Sequence, residues 1–254
     1  MTHSHVTPFL FAAALLAVFT VPDAHSATLE IMVEDAAAPQ SRKDGTGYAN
    51  DIVKAAYHAQ GIAVKLDVVP YTRCKASVVA GTVVACFSMS WEAQFLKTVV
   101  FSDQPLFTVH PEYFRRISTA PAIRSELDIP EGAVVGLVNG YEYPASLEHL
   151  RDRGIIFQYA NSEAINLRKL SAGRIDFAVL MLTNVKTAAV PMRDSGVNDV
   201  VYAFQSHPIG AYVGFSRHSA QEEYARAQFN RGYAAITANG TLRAIVEKWK
   251  RMSN

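Results

Sequence analysis

Four aromatic residues, Tyr71, Trp91, Tyr141 and Tyr143, stand near the hydrogen-bonding residues Ser88, Ser90, Asn139 and Asn184, all where apolar runs end. Aromatic walls with a few oriented polar groups describe a cleft for a small molecule. Arg73 is the cation closest to this set. At the start of a predicted helix it adds to the positive end of the dipole and suits an anionic group. The same sequence equally fits a structural pairing of Arg73 with Glu34 or Asp35. Those two acids are neighbours on a predicted strand and point to opposite faces, so they form no acid–base dyad.

Reactive signatures are sparse. His58, His110, His149, His207 and His218 are scattered, without the spacing of a zinc site. Neither Gly-x-Ser-x-Gly nor Gly-x-x-x-x-Gly-Lys occurs. The chain reads as a binding protein rather than an enzyme, with no cofactor and no metal. Two cysteines are too few for a disulfide-dense scaffold or a four-cysteine zinc site. Cys74 lies one turn into a predicted helix and Cys86 on the strand after it. A bridge between them is geometrically possible, and two separate buried thiols is the other reading.

The elements that must position these residues alternate. Thr28–Glu34 reads as a strand, Tyr48–Gln60 as a helix capped by Gly61, and Ile62–Val69 as a half-buried strand closed by Pro70. Thr72–Ala80 is a predicted helix and Val83–Ser88 a buried strand. The pattern returns in the strand Val134–Val138, the turn Asn139-Gly140, the helix Pro144–Arg153 and the strand Ile155–Tyr159. A helix over Asn161–Ala172, capped by Ser162 or Asn161, and a strand over Asp176–Leu182 follow. Ser162 reads as a cap rather than a ligand contact, and Met89 and Met181 read as core. This spacing predicts parallel sheet built from βαβ units. Two extended stretches, Phe107–Arg116 and Val201–Phe215, separate the halves, and helices over Ala220–Asn239 and Leu242–Met252 close the chain. If the first and last portions share a lobe, the chain crosses twice between lobes. In an open α/β lobe the ligand sits beyond the carboxyl ends of the strands, which adds Glu34 to the candidate contacts.

Half of the 254 residues are apolar, enough for one or two cored domains. A net charge of +1 argues against nucleic acid as the partner. Residues 9–21 form an apolar run shorter than a membrane-spanning helix, followed by small residues at Ala24 and Ser26. That arrangement predicts a signal peptide over residues 1–26, with cleavage after Ala27 the other reading, hence an exported, soluble, periplasmic protein.

In order and spacing, GTGYANDIVKAAYHAQGI, PYTRCKASVVAGTVVACF, VVFSDQPLF, VVGLVNGYEY, NLRKLSAGRIDFAVL and FNRGYAAITANGTLRAIVEKW resemble the amino-acid-type (family 3) extracellular solute-binding proteins of ABC importers. The resemblance implies an α/β, two-lobed type II periplasmic-binding-protein fold, with two parallel-rich sheets joined by a two-strand hinge. It implies lobe 1 over residues 27–110 plus 208–254 and lobe 2 over 111–207. It also brings Tyr48 toward the cleft, and makes the partners a small-molecule ligand and an inner-membrane ABC permease, with the protein a monomer.

The departures are chemical. Family members that bind α-amino acids resemble one another in an Arg that clamps the ligand carboxylate; here that place falls near Phe95. They resemble one another also in an Asp after a second-lobe strand, where this chain has Leu180-Met181-Leu182-Thr183-Asn184. Phe cannot replace a bidentate guanidinium. The expected ligand is therefore a small polar or aromatic solute other than a standard α-amino acid. Two competing readings are a cyclohexadienyl-dehydratase-like enzyme, with Glu34, Asp35 or Glu142 as its acid, and an accessory subunit of a periplasmic dehydrogenase.

Overall fold

A computed structural model describes residues 1, 28–118 and 123–253. The predicted signal peptide falls almost wholly outside the described residues. Strand β1 (Leu29–Glu34) leads into the small hairpin β2 (Ala36–Ala37) and β3 (Ser41–Arg42). Then come α1 (Tyr48–His58), β4 (Val64–Val69), α2 (Tyr71–Ala80), β5 (Ala85–Met89) and β6 (Val99–Phe101). A long strand, β7 (Phe107–Arg116), opens the second half. It is followed by β8 (Val134–Val138), α3 (Ser146–Asp152), β9 (Ile156–Ala160), α4 (Glu163–Ser171) and β10 (Phe177–Leu182). The chain ends with α5 (Ala189–Ser195), β11 (Val200–Gln205), β12 (Ile209–Ser216), α6 (Glu222–Ala238) and α7 (Thr241–Ser253).

The strand order β4-β1-β5-β12-β7-β10-β8-β9 resolves into two halves. On one side β1 pairs in parallel with β4 and β5. On the other β8 pairs in parallel with β9 and β10. The halves meet where β12 and β7 run antiparallel, with Ile209 opposite Val109 and Ala211 opposite Phe107. Both strands continue into their own half, β12 beside β5 and β7 beside β10. This is the expected two-lobed α/β fold with a two-strand hinge.

Apolar residues at helical spacing drive α1 into the first lobe, where Ile52, Val53, Ala56 and Tyr57 are fully buried. Tyr57 donates to the Ala225 carbonyl of α6 at 3.0 Å, and Trp249 of α7 donates from Nε1 to Asp51 at 2.8 Å. Those two bonds satisfy the polar ends of buried aromatics and fix both C-terminal helices on α1. In the second lobe, β10 is buried along its whole length, as a central strand covered on both faces must be. Ser162 caps α4, its hydroxyl accepting the Ile165 N–H.

Two stretches of the second half differ from the sequence reading. Val201–Phe215 is two strands, not one, because Ser206–Pro208 interrupts it and Pro208 supplies no N–H to a ladder. Helix α5 was not anticipated; Pro191 stands at its third residue, where a missing N–H costs little.

Candidate ligand-binding cleft

The cleft lies at the carboxyl ends of the strands, between α2 on the first lobe and the β8 and β10 ends on the second. The turn after β8 brings the lobes together. Gly140 adopts φ 78°, and a Cβ there would stand 2.7 Å from the Thr72 methyl carbon of α2. Only a residue without a side chain permits that approach.

Glu142, two residues on, reaches across. Its Oε1 lies 2.6 Å from Lys75 Nζ, and its Oε2 accepts from the Tyr71 hydroxyl at 2.6 Å and from the Ser90 N–H at 3.3 Å. Lys75 also donates to the Gly140 carbonyl and sits 4.9 Å from the Tyr71 ring centre. Tyr71 and Lys75 are four apart on α2 and therefore share a face. Burial pushes the Glu142 carboxyl up; Lys75, Tyr71 and the Ser90 N–H pull it back without cancelling the rise. The Tyr71 phenol is raised well above its usual range by burial and by the neighbouring Glu142.

A second bridge joins Gln40 Nε2 to Thr183 Oγ1 at 2.8 Å. Behind it Glu163, at the start of α4, accepts the Met181 N–H at 2.7 Å and pairs with Lys186 at 2.6 Å. Both partners of that pair are buried.

The bridges leave a cavity of about 50 Å³ between the lobes, walled by the rings of Tyr71, Phe107 and Tyr141. Glu34, Ser88 and Ser90 line it from the first lobe, and Met181, Thr183 and Lys186 from the second. Glu34 is 6% exposed, and among the described residues no hydrogen bond or ion pair reaches its carboxyl. Burial raises its pKa to about 8; Lys186 opposes the rise, while Glu142, Asp35 and Glu163 add to it. Ser88 is the one non-glycine with a positive φ, 68°, among the described residues, and its buried hydroxyl has no hydrogen-bond partner. A strained backbone beside an unsatisfied hydroxyl is a feature of functional sites.

Of the residues selected from sequence, the structure gathers Glu34, Tyr71, Ser88, Ser90 and Tyr141 at this cavity. Tyr48 is buried against Phe107, with ring centres 5.8 Å apart, and its phenol, hydrogen-bonded to Asn184, is pushed up to about 12 by burial. Tyr143 accepts the Val138 N–H at 2.8 Å. Asn139 donates to Asn161 at 2.9 Å, and both Asn139 and Asn184 are exposed. Arg73 is exposed and makes no ion pair with Glu34 or Asp35, and Trp91 is 58% exposed. Phe95, at the place of the expected arginine, is buried with Lys75 Nζ 5.9 Å from its ring centre.

Sequence reasoning did not select Gln40, Lys75, Thr183 or Lys186 as contacts, and considered Glu142 only as an enzyme's acid. Lys75 carried a usable signal, its four-residue spacing from Tyr71. The cysteines are joined: Cys74 and Cys86 form a disulfide with Cα atoms 5.7 Å apart, tying α2 to β5. Among the described residues no group of acids, histidines and cysteines could hold a metal ion, and no helix is long and apolar enough to cross a membrane.

No curated protein matches in sequence. Solved structures share the fold at low identity. An ancestral arginine-binding protein bound to arginine is 19% identical with a TM-score of 0.72, over 87% of this chain and 97% of that one. A histidine kinase sensor domain with similarity to periplasmic binding proteins is 20% identical with a TM-score of 0.73, over 88% and 96%. An ancestral amino acid-binding protein, a precursor of cyclohexadienyl dehydratase, is 18% identical with a TM-score of 0.70, over 87% and 94%. The model of the bacterial extracellular solute-binding proteins, family 3, matches residues 29–252, nearly everything that the structure describes, and the chain belongs to that family.

Proposed function

We propose that this is a periplasmic binding protein that captures one small polar or aromatic solute between its lobes and presents the closed form to an ABC permease. The carrying observation is the cavity at the lobe junction, where the buried Ser88 hydroxyl has no hydrogen-bond partner and the buried Glu34 residue faces the same space between aromatic rings. The lobes, residues 27–110 plus 208–254 and residues 111–207, turn on the β7–β12 pair. A standard α-amino acid fits poorly, because Phe95 offers no guanidinium and no acid follows β10.

Closure is favoured only by the ligand's greater affinity for the closed form. Thermal-shift screening of the purified protein against amines, organic acids, amino acids and aromatic metabolites tests the proposal. A solute at a hundredfold excess over its Kd adds about 2.7 kcal/mol of stability. A broad panel that leaves both melting temperature and scattering dimensions unchanged defeats it.

A second reading has one observation in its favour. With a pKa raised to about 8, Glu34 keeps its proton at neutral pH and is equipped as a general acid, as a dehydratase requires. Assaying prephenate and arogenate for turnover decides it, and absence of turnover removes it.

A further inference from the structure

Three charged side chains line the cavity, Glu34, Glu142 and Lys186, and two of them are paired. Lys75 holds Glu142, and Lys186 holds Glu163. Glu34 is the remainder, buried, facing the same cavity and without an ion-pair partner among the described residues. A buried carboxylate without a counter-charge of its own is costly, and here Lys186, the cation that acts on Glu34, is already paired with Glu163.

We propose that the missing charge arrives with the ligand: the cavity takes a compact organic cation, a primary amine or similar ammonium group carrying no carboxylate of its own, seated on Glu34. This rests on the solute-binding reading above and narrows it.

Three further observations converge on that chemistry. Tyr71, Phe107 and Tyr141 surround the space, and aromatic faces attract cations. The unsatisfied Ser88 hydroxyl offers an acceptor to an ammonium N–H. Most telling is the state of the donors that would receive a ligand carboxylate. Lys75 Nζ, the Tyr71 hydroxyl and the Ser90 N–H all point at Glu142, a carboxylate that the protein supplies itself. A zwitterion would have to displace Glu142, or draw Lys186 away from Glu163, to seat its anionic end. A simple amine need not.

The groups facing Glu34 also define a proton signature. Lys186 favours its ionised form, whereas burial, Glu142, Asp35 and Glu163 disfavour it. The empty site therefore holds a proton on Glu34 near neutrality, and an arriving ammonium expels it. Titration calorimetry at pH 7, repeated in buffers of different ionisation enthalpy, should show proton release on amine binding.

The experiment uses the purified protein with four matched sets. These are amines (ethanolamine, n-butylamine, phenethylamine), acids (butyrate, phenylacetate), zwitterions (alanine, 4-aminobutyrate) and neutral alcohols (n-butanol, phenethyl alcohol). The expected result is saturable binding of at least one amine with proton release, and none of the acids or zwitterions within tenfold of its affinity. Glu34→Gln should weaken that amine at least thirtyfold, and Glu34→Asp should retain the preference for cations. If acids or zwitterions bind and amines do not, the cation assignment fails while solute binding stands. If no compound of any set binds, the cation assignment and the broader reading fall together. An amine bound equally well by wild type and Glu34→Gln also overturns the assignment, and proton release in the wild type decides the matter should the variant misfold.

Discussion

Lys75 Nζ and Glu142 Oε1 stand 2.6 Å apart although one belongs to α2 and the other to the turn after β8, on opposite sides of the cleft. Their side chains are 17% and 4% exposed, so water screens the pair only weakly. Lys75→Met strands the Glu142 carboxylate and should cost about 3 kcal/mol in denaturant unfolding. Small-angle scattering should show a larger radius of gyration as the lobes part. Glu142→Gln retains a hydrogen bond to Tyr71 and should cost less. Unchanged dimensions in both variants would show that the pair does not hold the lobes together.

Glu34 should make stability fall as pH rises. Its pKa is about 8 folded, against an ordinary 4.5, so the folded chain binds the extra proton between those values. Below pH 4.5 both states hold it and the contribution is complete; above pH 8 it is gone. Within the window the loss approaches about 1.4 kcal/mol per pH unit. Glu34→Gln should flatten that slope and be the more stable protein at pH 8. Urea unfolding at half-unit pH steps reads the difference directly, and parallel curves for the two proteins would contradict it.

Gly140→Ala meets two obstacles, a left-handed φ of 78° and the Thr72 methyl carbon 2.7 Å from the new Cβ. The backbone cost is about 1 kcal/mol and the collision adds to it. Adding Thr72→Ser removes that methyl and should restore compact dimensions in scattering, while the backbone cost persists in the melting temperature. Full recovery of both would mean that the φ carries no strain.

The Cys74–Cys86 bridge closes a short loop between α2 and β5. Replacing both cysteines with serine should lower stability by about 3 kcal/mol. Because α2 carries Tyr71 and Lys75 and β5 carries Ser88 and leads to Ser90, ligand affinity should drop as well. Calorimetry on the double variant, beside wild type treated with dithiothreitol, tests both effects.

The alternation of helix and strand was legible because each element is patterned over enough residues to declare its period. Helices α1, α2, α4, α6 and α7 and strands β1, β4, β5, β8 and β10 were all read near their observed positions. Short pieces escaped: the β2–β3 hairpin has two residues per strand, too few for any periodicity. Helix α5 escaped because Pro191 reads as a breaker when its place in the first turn is unknown.

The candidate site was half legible. Strand ends pointed to Glu34, Tyr71, Ser88, Ser90 and Tyr141, since the fold class alone says where strand ends gather. Arg73 was singled out among the nearby cations, yet Lys75 is the one that reaches the cleft. On a helix, residues two apart lie on nearly opposite faces, so the phase set by Tyr71 turns Lys75 inward and leaves Arg73 in solvent.

Pattern and order along the chain sufficed for the two-lobed α/β scaffold, because side-chain periodicity and turn residues act over a few positions at a time. The pairing of charges needed the folded molecule. Lys75 and Glu142 are 67 positions apart and Lys186 and Glu163 are 23 apart, so neither pair leaves a local trace. That Glu34 is the acid without a partner follows only once those pairings are known, since burial and counter-charge are properties of an environment assembled from both lobes.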